Sequence, residues 1–152
     1  MVVNLLQLVV IMAGAIGVRA GVKYFSRKKI FISFAIEDKN ARDLLVGQSR
    51  NKNAPFEFVD MSVKEPWDNA WKTKCRERIK SCHGVLVLVS KSTYKADGVH
   101  WEIKCAKKEG LPVKAIYANK DSKNYDLPNE LKSQHVYKWS WPNINKFVDK
   151  LK

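Results

Sequence analysis

One carboxylate and a few strand-end residues stand where a ligand site could form. The segment Ala96-Asp97-Gly98-Val99-His100-Trp101-Glu102-Ile103 follows an unbroken apolar run and opens a helix. Glu102 is therefore expected in the first turn or so, near the carboxyl end of a strand. A carboxylate there is stabilised by the partial positive charge of the helix N-terminus. Taken alone, Glu102 reads as a first-turn acid without chemistry. Other chemistries lack their residues. There is no glycine-rich dinucleotide fingerprint and no P-loop. His83, His100 and His135 show no ligand spacing, and no metal is expected. Cys75, Cys82 and Cys105 are odd in number and form no CxxC pair. That pattern suggests neither a disulfide framework nor a zinc site, and it suits a reducing compartment.

The elements that must position these residues follow from hydrophobic periodicity. Lys29 to Phe34 is a short run of β-branched and aromatic residues and predicts a strand. Asp38 to Leu45 predicts a helix with Asp38 as N-cap, and Lys52 to Pro55 a turn. Phe56 to Asp60 predicts the second strand, and Met61 to Pro66 a loop. Trp67, Ala70, Trp71, Cys75, Ile79 and Cys82 recur at three and four, which predicts one helix face over 67–82. Gly84 to Ser90 is a continuous Val/Leu run suited to the centre of a parallel sheet covered on both faces. Val99 to Glu109 predicts a helix stopped by Gly110, and Leu111 to Ala118 the next strand. A polar loop follows over Asn119 to Pro128, then a short strand at His135 to Tyr137. Ile144, Phe147, Val148 and Leu151 mark a C-terminal helix. Alternation of this kind gives an α/β, flavodoxin-like, doubly wound parallel sheet of about five strands. Ligands of such sheets bind beyond the carboxyl ends of the strands. That rule selects Ser33-Phe34-Ala35, Asp60-Met61 and Ser90-Lys91 as cleft residues.

Residues 1–26 read differently. No charged residue occurs from Met1 to Val18. Eighteen helical residues reach about 27 Å, just short of a hydrocarbon core, and snorkelling by Arg19 and Lys23 would extend the span. We expect one transmembrane helix, with residues 2–18 in the membrane and a folded domain over 27–152. A cleaved signal peptide is the alternative, but no Lys or Arg precedes the apolar run as such peptides require. The basic cluster after it predicts a single-pass protein with its domain in the cytoplasm. The formal charge is +13, and five of the cations fall within residues 1–29, which contain no acid, leaving about +8 on the rest. That balance favours anionic partners, with a solvated Lys-rich surface facing anionic lipid as the plainer reading. No specific nucleic-acid partner is expected.

Three stretches together resemble the TIR-like family, in particular the small bacterial branch found in Thoeris anti-phage defence. They are Ile30-Phe31-Ile32-Ser33-Phe34, Ser81-Cys82-His83 running into Gly84 to Ser90, and Gly98-Val99-His100-Trp101-Glu102-Ile103. The third is similar to the family's Trp-Val-x-x-Glu-Ile motif. The resemblance implies that Glu102 is the catalytic carboxylate for cleaving the nicotinamide glycosidic bond of NAD. NAD would then be substrate, not cofactor. Breaking that bond builds oxocarbenium character on the ribose, and a carboxylate against the ribose stabilises it. On that chemistry Phe34 could stack on a base or nicotinamide ring, or simply pack in the core. Ser33 and Ser90 could bond ribose or phosphate, or simply end their strands, with Asp60 in the same cleft. The family's Trp is replaced by Gly98, and Trp101, in a different register, could compensate as a substrate-binding residue.

The resemblance therefore implies a membrane-tethered enzyme that depletes NAD or makes a cyclic ADP-ribose signal, self-associates, and acts with an effector protein. The departure at Gly98 favours a second reading, a non-catalytic adaptor recruiting partners at the membrane. A third is a nucleoside deoxyribosyltransferase-like enzyme, whose fold also sets a Glu against a glycosidic bond.

Overall fold

The computed structural model describes residues 27–61, 68–120 and 124–152. Five strands, β1 (Lys28–Ser33), β2 (Phe56–Val59), β3 (Gly84–Val89), β4 (Val113–Tyr117) and β5 (Val136–Tyr137), form one sheet in the order β2-β1-β3-β4-β5. Every neighbouring pair is parallel. Four α-helices accompany them: α1 (Lys39–Asn51), α2 (Asn69–Lys80), α3 (Asp97–Lys108) and α4 (Trp141–Asp149). The strand order is the flavodoxin-like one, as the alternation of elements predicts.

Strand periodicity sorts the core into two layers. Phe31, Val85, Val87, Val89 and Ala115 point to one face and pack against Trp71, Cys75 and Ile79 of α2 and Val99, Ile103 and Ala106 of α3. Ile30, Ile32, Leu86, Leu88 and Ile116 point to the other, against Leu45 of α1 and Ile144, Phe147 and Val148 of α4. All six residues of β3 are buried, which is why its sequence carries no polar alternation. At Gly84 a Cβ would lie 2.8 Å from Leu151 Cδ2 and 3.1 Å from Phe147 Cζ, so glycine lets α4 and the residues after it pack closely on the start of β3.

Several boundaries differ from the sequence expectation. Helix α2 starts at Asn69, and Asp68 caps it by accepting the Trp71 N–H at 2.7 Å. Its buried face is Trp71, Cys75 and Ile79, while Ala70 is exposed; Trp67 lies outside the described residues. Helix α3 begins at Asp97, two residues early, so Glu102 is in its second turn and not its first. Gly110 follows that helix in the left-handed region at φ 73°. A short 3-10 turn, Asn129–Leu131, follows the predicted loop. Among the described residues no helix is long and apolar enough to cross a membrane. The predicted anchor, residues 2–18, lies outside them.

Candidate active site

Two adjoining cavities open at the carboxyl ends of β1 and β3. The smaller, about 340 Å³, lies between the segment Phe34–Glu37 and the start of α3 at Ala96, Asp97 and Gly98. The larger, about 720 Å³, is lined by Glu37, Asp38 and Ser90 on one side and by Lys91, Lys120 and Tyr125 on the other. Glu37 belongs to both. Volumes of this size suit small-molecule sites.

Helix α3 positions Glu102. Gly98 and Glu102 are four residues apart, so they share a helix face. A helical Cα–Cβ bond tilts toward the N-terminus, so Glu102 leans toward the turn containing Gly98. Glu102 is 0% exposed, between Val99 and Ile103 on the buried side of α3. It is an interior carboxylate, not the surface first-turn acid that the sequence suggested. Ser33 shares the period of Phe31 and so faces the layer that α3 covers. Its Oγ is buried and has no hydrogen-bond partner among the described residues.

The other expected residues are dispersed. Phe34 points to the opposite layer, fully buried, with the Arg42 guanidinium 5.1 Å from its ring centroid. Its ring is therefore core, although the residue borders the smaller cavity. Asp60 pairs with Arg42 Nη1 at 2.8 Å, and its carbonyl accepts from Arg78 Nη1 at 2.7 Å. It ties the end of β2 to α1 and α2 and lines neither cavity. Trp101 packs edge-on against Trp71 at 5.6 Å, with the Arg76 guanidinium over its ring. It faces α2, one position round the helix from Glu102, and does not fill the place of the missing Trp at Gly98. Ser90 does border the larger cavity. Its Oγ donates to Asp38 Oδ2 at 2.6 Å and accepts from the Ser92 N–H at 3.0 Å.

Asp38 holds the N-cap position that the sequence predicts, but its side chain has another role and makes no cap bond. Its carboxyl sits in the larger cavity instead. Burial pushes it above the usual carboxylate range, Glu37 beside it adds to the rise, and the Ser90 hydroxyl opposes it. An acid 52 residues from its hydroxyl partner carries no local signal in sequence. Lys91 and Lys120 supply the cations that sequence alone could not place.

Two of the histidines bridge neighbouring segments. His83 Nδ1 accepts the Lys29 N–H at 2.9 Å. His100 lies 2.8 Å from Glu130 Oε2 and 2.8 Å from the Tyr94 carbonyl, so it ties two short turns to α3. Among the described residues no cluster of His, Cys, Asp and Glu could hold a metal ion. The three cysteines are free and buried, and burial pushes the Cys82 thiol up to about 11.

The parallel 2-1-3-4-5 sheet is shared with a TIR domain of known structure. The structure aligns with the TIR domain of the Toll-related receptor TRR-2 from the lower metazoan Hydra magnipapillata at a TM-score of 0.57. The alignment covers 79% of this chain and 95% of that one at 13% identity, which speaks to the fold. A prokaryotic SEFIR domain aligns at a TM-score of 0.44 and 18% identity, covering 81% of this chain and 94% of that one. No curated protein sequence matches. A family model for the TIR-like domain of the Thoeris protein ThsB matches residues 31–123. The chain belongs to that family.

Proposed function

We propose that this TIR-like domain cleaves the nicotinamide glycosidic bond of NAD, with Glu102 as the catalytic carboxylate. The observation that carries the reading is a carboxylate held in the interior on the helix face of Gly98, one turn below the smaller cavity. Interior placement strengthens its action on developing positive charge, because little water screens it. The nicotinamide riboside half of NAD would enter between Phe34–Glu37 and Gly98. The pyrophosphate would lie along the larger cavity by Lys91 and Lys120, and Ser33 Oγ offers an unused hydroxyl to the ribose. Breaking the C1′–N bond sends its electron pair into the pyridinium ring, which leaves as neutral nicotinamide. Water then adds to C1′ and loses a proton to give ADP-ribose, or an adenine nitrogen adds to give the cyclic product.

Glu102 is fully buried, so on this reading turnover requires a rearrangement that opens it to the cavity between the Phe34–Glu37 segment and Gly98. Self-association is part of the proposal. Ile36 and Leu44 are about half exposed beside this segment, and a second copy covering them would complete the site. We also propose that residues 2–18 anchor the chain in a membrane with the domain in the cytoplasm, and that an effector protein responds to the product during phage infection.

The experiment is to incubate purified full chain with NAD at increasing protein concentration and measure nicotinamide release. Release rising faster than protein concentration is expected. If none appears at any concentration, the adaptor reading replaces this one; Gly98 in place of the family's Trp is the observation that favours it. For the anchor, a reporter enzyme active only in the cytoplasm, fused after Lys152, should work. Activity from a periplasmic reporter alone would reverse the topology.

A further inference from the structure

A third cavity, of about 370 Å³, lies away from the strand carboxyl ends, between the beginning of β4, the approach to β5, and α4. It exists because β5 is only two residues long and pairs with Ala115 and Ile116, leaving Val113 and Lys114 without a strand partner on that side. Lys114 shares the face of Ile116, and α4 covers that face. Its ammonium group is held in place: Nζ donates to the Asn143 carbonyl at 3.0 Å and sits 4.0 Å from the Tyr137 ring centroid. Lys146 and Lys150 converge on the same cavity from α4, and Gln134 and His135 line it from the approach to β5. Among the described residues none of the three lysines makes an ion pair with a carboxylate. Asp149 is next to Lys150 in sequence, yet it does not line the cavity. Burial, together with Lys150 and Lys146, pulls the Lys114 ammonium below its ordinary range.

Three cations facing one concavity repel each other unless an anion joins them. Donors dominate the lining, and a phosphate supplies several acceptor oxygens and up to two charges. A single carboxylate would leave most of the charge unmet. We propose that this cavity is a second ligand site, separate from the NAD cleft, that takes a phosphate group between Lys114, Lys146 and Lys150. Two sources supply such a phosphate, a lipid headgroup or a free phosphorylated molecule, and the test separates them.

Purified full chain is titrated with inorganic pyrophosphate at constant ionic strength while the His135 and Tyr137 ring resonances are followed. In parallel, binding to phosphatidylcholine vesicles is compared with and without added phosphatidic acid. The part of the anionic increment that the cavity variant loses is assigned to this site, because the basic residues within 19–29 also attract anionic lipid. We expect a saturable response in at least one arm. Lys146→Gln/Lys150→Gln, two exposed positions, should weaken it roughly tenfold or more. Lys74→Gln/Lys80→Gln removes the same charge from exposed positions on α2 and should leave it within about twofold. A response to pyrophosphate identifies a soluble phosphorylated ligand; a response to anionic vesicles alone identifies a headgroup. No saturable response in either arm, or equal weakening by the control pair, overturns the proposal. Because neither readout uses NAD cleavage, failure here leaves the catalytic reading untouched, and the reverse also holds.

Discussion

Replacing Glu102 by Gln tests catalysis and burial together, and the structure lets the two be separated. Gln matches Glu in size, so the interior around Val99 and Ile103 keeps its packing. What changes is the charge. If the carboxylate stabilises an oxocarbenium-like transition state, its loss should slow NAD cleavage roughly 10²–10³-fold, a barrier increase of about 3–4 kcal/mol. The folding effect is smaller. Exchanging a charged for a neutral hydrogen-bonding group in the interior costs on the order of 1–2 kcal/mol. For a domain of this size that lowers Tm by roughly 3–10 °C. A stability of about 5–15 kcal/mol would still leave more than nine molecules in ten folded at 25 °C. Unfolding therefore cannot produce a hundredfold loss of rate. Glu109→Gln, exposed where α3 ends, is the control and should leave turnover almost intact. Nicotinamide release and a melting curve are measured on each variant. Wild-type turnover in Glu102→Gln would refute the catalytic role. So would a rate loss no larger than the change in folded fraction.

Further outcomes follow from packing and ionisation. Gly84→Val would drive its side chain into Leu151 and Phe147 and should destabilise by about 1–3 kcal/mol, read as a lower midpoint in urea with an unchanged slope. Burial alone would raise the Glu130 pKa, but its own backbone N–H and His100 outweigh that and hold it below 4.5. A lowered folded pKa adds stability above the unfolded value and loses it as pH falls through the folded one. Chemical denaturation from pH 6 to pH 3 should thus show an acid-side loss that is smaller in Glu130→Gln than in wild type. The native protein should react very slowly with thiol reagents at pH 8, because Cys75, Cys82 and Cys105 are buried and the Cys82 thiol ionises near 11. Rapid labelling of any of them without denaturant would contradict the core described above.

The sequence by itself determined the layout. The unbroken Gly84–Val89 run demanded a strand covered on both faces, and every one of its residues is buried. The spacing of Trp71, Cys75 and Ile79 and of Ile144, Phe147 and Val148 fixed which side of α2 and α4 turns inward. The strand-end rule located the Ser33, Phe34 and Ser90 neighbourhood where the cavities open. These are local properties, because hydrophobic period and chain order need no knowledge of distant partners. Tertiary structure decided what the polar residues do. Asp38 looked like a cap and became the partner of Ser90, since β1 and β3 lie side by side and end together. Asp60 looked like a cleft acid and was taken by Arg42. Trp101 and Glu102 are adjacent in sequence, yet the 100° step between helical neighbours sends one against α2 and the other into the interior. The lysine cavity was invisible along the chain because it is assembled from β4 and α4 where β5 stops short. Which groups meet across a sheet depends on register and helix rotation, and a linear pattern constrains neither closely enough to name the pairs.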